Sequence, residues 1–192
     1  MHAVHPLLTR RSVAVKDLVA PAPTADELAT ILQAATRVPD HGKLCPWRII
    51  ILRKAGQRAL GAVAHAVFAR QQPEATDAQR AAELSRFARA PLVLAVLSTP
   101  VANSKPVWEQ ELSAGAVCMN ILHAVHMLGY GGKWLTEWVA YEPEILAALG
   151  GAPTDKIAGF IYIGSKTSEP ADREHPAIAD VVWELEGAST IQ

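Results

Sequence analysis

Apolar positions change their period several times along the chain, and each change marks an element. Leu28, Ile31, Leu32 and Ala35 recur at i, i+3, i+4 and i+7, which is one face of a helix. Thr24 stands three residues before Glu27, the spacing of a capping box, so this helix is predicted to begin just after Thr24 and to stop near Thr36. The β-branched run Ile49-Ile50-Ile51 after Trp47 reads as a buried strand. Residues 92–97 are apolar without alternation, which predicts a strand covered on both faces. Residues 157–163 form the last strong strand, and 131–136 a short strand or turn. Further helices are predicted over roughly 55–70, 75–88 and 143–149, with a short first helix over 6–12 that ends in the pair Arg10-Arg11.

One segment, 107–128, is helical in pattern yet apolar nearly all round, so it is expected to be buried on several sides. Its small residues Ser113, Ala114, Gly115 and Ala116 would let another backbone come close, at the domain centre or at a subunit interface. Gly129 is placed as its C-terminal cap. The most apolar window, 113–129, contains Asn120, His123 and His126, which are costly in lipid, and it falls short of the ~20 apolar residues of a membrane span, so a membrane helix is not expected. The tail from Gly164 carries Pro170 and Pro176 but also Val181-Val182-Trp183, too apolar to be left in water. It is expected to pack on its own domain or on a partner.

Strands separated by helices, without an internal repeat, indicate an α/β or α+β architecture in one domain spanning 1–192. The charge balance of 18 Lys+Arg against 19 Asp+Glu gives a formal net charge of −1, which argues against a nucleic-acid partner. Half the residues are hydrophobic (50%), enough for a sizeable core. Cys45 and Cys118 are too few for a disulfide framework, and the first six residues lack the pattern of a secretory signal, so a cytoplasmic location is expected.

The chemistry is narrowed first by exclusion. There is no G-x-S-x-G, H-E-x-x-H or C-x-x-C, and the glycines around Gly131 match neither a P-loop nor a dinucleotide fingerprint. Arg10-Arg11-Ser12 offers two guanidinium forks and a hydroxyl that can bind phosphate oxygens; a solvated basic helix end accounts for it as well. Arg37 and His41 bracket a proline-stiffened loop before a strand, a place suited to binding residues, although Asp40 and His41 could equally satisfy local backbone groups. Gly131 and Gly132 would let a flat ligand approach the backbone, or would simply form a tight turn. His123 and His126 could share a metal, but the nearest acids lie more than a turn away, so hydrogen-bonded core or interface histidines are expected and no metal site.

Taken in order, Leu7-Leu8-Thr9-Arg10-Arg11-Ser12, then Arg37-Val38-Pro39-Asp40-His41-Gly42 with Pro46-Trp47-Arg48, then Trp108-Glu109-Gln110-Glu111-Leu112-Ser113-Ala114-Gly115, and Gly129-Tyr130-Gly131-Gly132-Lys133-Trp134 resemble the nitroreductase family, and more closely its small YdjA-type branch. The resemblance runs from about residue 5 to Gly164. It implies an α+β fold with a central mixed β-sheet flanked by helices, non-covalent FMN, and an intertwined homodimer with flavin sites at the interface. By position, Arg10, Arg11 and Ser12 would bind the flavin near its phosphate and ribityl chain, Arg37 and His41 would reach a flavin of the partner subunit, and Trp134, Leu135 and Thr136 would lie along it. Residues 165–192 would form an arm packing on the partner. Three departures from the family pattern are Cys45 before Pro46, Leu135-Thr136 after the tryptophan, and Ala14 two residues after Ser12.

The implied activity is FMN-dependent oxidoreduction. Electrons would pass from NADH or NADPH, by a ping-pong route, to a nitroaromatic, a quinone or a similar electron-poor small molecule. The flavin would carry the chemistry, so no catalytic side chain is assigned. The alternative is a flavin-binding carrier or sensor without turnover.

Overall fold

The sheet is organised around its longest strand. The structure, a computed structural model, describes residues 5–185; residues 1–4, and 186–192 of the expected arm, lie outside the described residues. Strand β5 (Lys156–Lys166) pairs with β3 (Leu92–Ser98), with β4 (Gly131–Leu135) and with the two-residue β1 (Leu18–Val19), while β2 (Trp47–Leu52) pairs with β3. In register, Leu94 faces Ile161, Trp134 also faces Ile161 from the other side, and Ile50 faces Ala95.

All seven residues of β3 are buried, as its unbroken apolar run predicts. The pleat divides them: Val93, Ala95 and Leu97 join Phe160 and Tyr162 in one core, and Leu92, Leu94 and Val96 join Ile161 and Ile163 in the other. The first core is closed by α3 (Lys54–Gln71), α6 (Pro143–Ala148) and the 3-10 turn Arg86–Ala88, through Leu60, Ala64, Ile145 and Phe87. The second is closed by α2 (Ala25–Ala35) and α5 (Val107–Met127), through Leu28, Ile31, Val117, Ile121 and Val125. α4 (Asp77–Leu84) packs outside α3.

Several local readings hold. Thr24 and Glu27 form the reciprocal capping box, α2 ends at Ala35, and Gly129 has φ +86° just beyond α5. Four expectations change. The sheet is antiparallel in every described pairing, not mixed, because connections return the chain to the end it left: β2 finishes opposite Val93 at the start of β3, and β3 finishes opposite Lys156 at the start of β5. β2 is an edge strand and only half-buried, with Ile51 exposed; a β-branched run looks the same at a sheet's edge and at its centre. The first helix, α1 (His5–Thr9), stops before the arginines, its last turn closed by the Arg10 N–H on the Pro6 carbonyl at 3.1 Å. Finally, α5 packs against the sheet, α2 and α1 but leaves Trp108 and Leu112 near its N-terminus and Met127 at its C-terminal end exposed.

Among the described residues, the apolar positions of the tail find no cover. Ile178, Val181, Val182, Trp183 and Leu185 are exposed, Trp183 to 83%. The short α7 (Ile178–Val181) buries nothing.

Candidate functional site

Helix α5 is the spine on which the predicted residues are arranged. At its C-terminal end the Thr9 hydroxyl lies 3.3 Å from His126 Nε2, which brings the Arg10 segment against this turn. Midway, Asn120 donates to the carbonyls of Ala34 and Arg37 at 3.2 and 3.0 Å, and Ser113 donates to the Pro39 carbonyl at 2.8 Å. Near its N-terminus Glu109 accepts from His41 Nδ1 at 2.6 Å. The loop carrying Arg37 and His41 therefore lies along the helix, fixed by polar side chains that an otherwise apolar segment would not need for packing. Asp40 holds the loop from within, accepting from the Leu44 and Cys45 N–H groups at 3.0 and 2.8 Å.

The two arginines of the Arg-Arg-Ser motif have different surroundings. Arg11 is committed: its guanidinium pairs with Asp172 and donates to the Leu8 carbonyl at 2.8 Å, tying the chain start to the tail. Arg10 has only opposing influences. Burial lowers its pKa, and repulsion from Arg11 and then Arg173 lowers it further. His126 is held below its usual value by burial, then by the positive charges of Lys166 and Arg10, with Glu169 opposing them. His123 is lowered by burial and then by Arg10, and its Nδ1 is buried without a partner. Lys166 completes the group from the end of β5, paired with Glu169 at 2.6 Å. Among the described residues this end of α5 thus gathers Arg10, Arg11, Lys166 and Arg173 against Asp172 and Glu169, a surplus of positive charge that suits an anionic phosphate. Lys166, His123 and His126 were not selected as binding residues from sequence; polar side chains inside an apolar helix were the available signal.

Strand β4 runs beside the same cluster. The Val13 N–H donates to the Gly132 carbonyl at 3.1 Å, so Arg10, Arg11 and Ser12 lead directly into contact with β4. The clearance at its glycines, however, does not admit a ligand ring. A Cβ on Gly131 would meet Leu18, Lys166 and Val13 at 2.7 to 2.9 Å, and one on Gly132 would meet Leu122 at 3.0 Å. The absent side chains let the protein's own elements close on the strand. Trp134 turns its indole over Gly159 and donates from Nε1 to the Ala158 carbonyl at 3.0 Å. Leu135 and Thr136 are half-buried and lead to Glu137, whose backbone has φ +52° and ψ −177°.

Arg10 and His41 are held at opposite ends of α5. The helix residues beside them, His126 and Glu109, are separated by about 25 Å along α5 at 1.5 Å per residue, whereas Asn120, which holds the Arg37 carbonyl, lies only about 9 Å from His126. A groove of about 920 Å³ between α6 and the start of β5, lined by Tyr141, Pro143, Leu146 and Ile157, contains none of the predicted residues. Among the described residues no group of three or more His, Cys, Asp or Glu is placed to hold a metal ion, so His123 and His126 have no third ligand. Burial pushes the Cys118 thiol up to about 12, leaving it protonated, and Cys45 is exposed. No helix among the described residues is long and apolar enough to cross a membrane.

The family model described as the nitroreductase family matches residues 7–165. The chain belongs to the nitroreductase family. This nitroreductase-family chain is 36% identical over 168 residues to "Putative NAD(P)H nitroreductase YdjA" of Escherichia coli K12, covering 86% of this chain and 88% of that one. It is 33% identical over 177 residues to a Haemophilus influenzae protein of the same NAD(P)H nitroreductase description, covering 91% and 93%. Among solved structures, a nitroreductase-like family protein from Bacillus cereus aligns with a TM-score of 0.81 at 21% identity, covering 97% of each chain. A nitroreductase from Desulfovibrio desulfuricans solved in complex with FMN aligns with a TM-score of 0.73 at 20% identity, covering 98% of this chain and 99% of that one. These structures share the α+β fold.

Proposed function

We propose that this chain is an FMN-dependent oxidoreductase that takes electrons from NADH or NADPH and delivers them, in a ping-pong cycle, to a nitroaromatic, a quinone or a similar electron-poor acceptor. The reading rests on family membership, on relatives named for NAD(P)H nitroreduction, and on FMN in related structures. The observation in this chain that carries it is the unbalanced positive charge around Arg10, which suits the phosphate of FMN. FMN, when bound, supplies the hydride and electron transfer. The chain's residues have other tasks. Arg10 and Ser12 bind the phosphate end, Arg11 anchors the segment that presents them, and Trp134, Leu135 and Thr136 offer backbone and apolar surface along the ring.

The same proposal includes a homodimer. The separation of His41 from Arg10 supports a site completed by two chains, with each loop that carries Arg37 and His41 reaching the partner's flavin. The exposed apolar residues on α1 and α5 supply an interface, and the tail beyond β5, with Ile178, Val181, Val182, Trp183 and Leu185 exposed, supplies an arm for the partner. The two free cysteines suit a reducing, cytoplasmic location.

The test begins with the visible spectrum of the purified protein and mass identification of any released chromophore. Bound FMN, oxidation of NAD(P)H on adding a quinone, and loss of flavin retention in a folded Arg10→Ala/Ser12→Ala variant are the expected results. A protein that takes up no FMN would refute the reading. FMN without turnover would identify a flavin carrier or sensor instead.

A further inference from the structure

Glu137 is in a backbone conformation that an L-residue rarely adopts. Its φ of +52° with ψ of −177° borders a region essentially reserved for glycine. A non-glycine residue stays there only when its surroundings over-determine it, and here they do. The Glu137 carboxylate accepts from Arg86 Nη1 at 2.8 Å and from Arg89 Nη2 at 2.6 Å. Arg86 is also paired with the buried Glu83, which accepts from the Trp138 indole N–H at 3.2 Å, so the residue after Glu137 is held by the same cluster. Arg89 donates to the Tyr162 hydroxyl at 3.1 Å, and that hydroxyl donates to the Arg86 carbonyl at 3.3 Å, which ties the arginines to the centre of β5. Burial by itself would raise the Glu137 pKa, but the hydrogen bonds and charge of Arg89 and then the charge of Arg86 outweigh it and hold the carboxyl below its ordinary value.

The clamp lies at one end of a short span. At the other end Leu135 is in register with Phe160 on the β4–β5 ladder. Only Thr136 lies between the last paired residue and the clamped one.

We infer that Glu137 is a positioning residue: its ion pairs with Arg86 and Arg89 hold a glycine-like turn that fixes the backbone of Leu135 and Thr136 against the bound flavin. The inference rests on the proposed function, which places 134–136 along FMN. Neither Arg86 nor Arg89 is required to touch the flavin. Their role is to keep a strained peptide in one conformation, so that its groups meet the ring without reorganisation.

The test separates backbone conformation from charge. Glu137→Ala keeps the Cβ and loses the clamp, whereas Glu137→Gly loses the clamp but adopts the turn without a Cβ penalty. FMN affinity, the position of the flavin absorption bands and the flavin midpoint potential are measured for both, alongside thermal unfolding of the apoproteins. In Glu137→Ala, FMN affinity is expected to fall about tenfold, consistent with release of a strained conformation, with shifted bands and potential. Glu137→Gly is expected to restore all three to near the wild-type values. Should Glu137→Ala bind FMN with unchanged affinity, spectrum and potential, or should glycine fail to rescue, the inference is overturned while FMN binding by the wild type leaves the functional reading standing. Wild-type protein that binds no FMN would remove both. If the alanine variant does not fold, Glu137→Gln against Glu137→Gly provides the same comparison, because glutamine keeps the Cβ and weakens the ion pairs.

Discussion

Arg10 and Arg11 are adjacent, chemically identical and put to different uses. Arg11 is paired with Asp172 and contributes to holding the tail, whereas Arg10 is surrounded by burial and like charge. A charge without a compensating anion among the described residues is suited to a ligand-binding role. The two histidines beside it carry a pH signature. His123 is lowered by burial and then Arg10, and His126 by burial, Lys166 and Arg10. Their folded values lie below the unfolded one of about 6.5, so below that pH the unfolded chain binds more protons and stability falls as pH falls. The melting temperature of the apoprotein is therefore expected to decrease between about pH 7.5 and pH 5.5. A His123→Leu/His126→Leu variant should show a flatter dependence over that interval. Saturation with FMN should flatten it too, because the phosphate offsets the cost of protonating both rings. Parallel wild-type and variant melts at several pH values check this, and an unchanged slope in the variant would show that other groups set the acid limb.

At the scale of elements, glycines decide where helices and strands can close on each other. Gly61 brings α3 against the C-terminal end of α4, where an added Cβ would collide with the Leu84 carbonyl oxygen, a backbone atom that has no rotamer to escape into. Gly61→Ala is expected to destabilise the fold by about 1–3 kcal/mol despite alanine's better helix propensity, read as a lower urea midpoint with an unchanged slope. These contacts also show which parts of the fold were legible. Local features were: the Thr24–Glu27 box, the unbroken apolar run of β3 and the Gly129 cap all depend on residues within one turn or one strand. Partners distant in sequence were not. The clamp joins Glu83, Arg86 and Arg89 to Glu137 and Tyr162, residues separated by about fifty to eighty positions, and no period or spacing connects them. The same limit misplaced the role of Gly131 and Gly132, because what fills the space above them comes from β1, α5 and the 10–18 segment. The site motifs were read from their order along the chain. That order could not show that Arg11 faces Asp172 or that His41 faces Glu109.

For the whole molecule, the question is what covers the outer face of α5. Leu8 is 70% exposed, Trp108 65% and Leu112 53%; Leu8 lies by the C-terminal end of α5, as does the exposed Met127, and Trp108 and Leu112 lie near its N-terminus. Exposed apolar side chains at both ends of one helix suit the proposed interface with a partner chain. Gly115 lies in this helix with nothing within 4 Å of the position a Cβ would occupy. Within one chain, Gly115→Ala should therefore stabilise the helix by up to about 1 kcal/mol. If a partner helix approaches at the small residues around Gly115, the same methyl group weakens association, so stability and assembly move in opposite directions. Leu8→Glu/Leu112→Glu places two charges at these exposed positions without touching either core and should yield a folded monomer by sedimentation. Because the α5 residues beside the Arg10 segment and His41 lie about 25 Å apart along the helix, the proposed site that uses both is one built by two chains. That monomer should consequently lose FMN although every proposed cofactor-binding residue remains in place. A monomeric variant that retains FMN with wild-type affinity would assign the whole flavin site to one chain and leave His41 without a role in it.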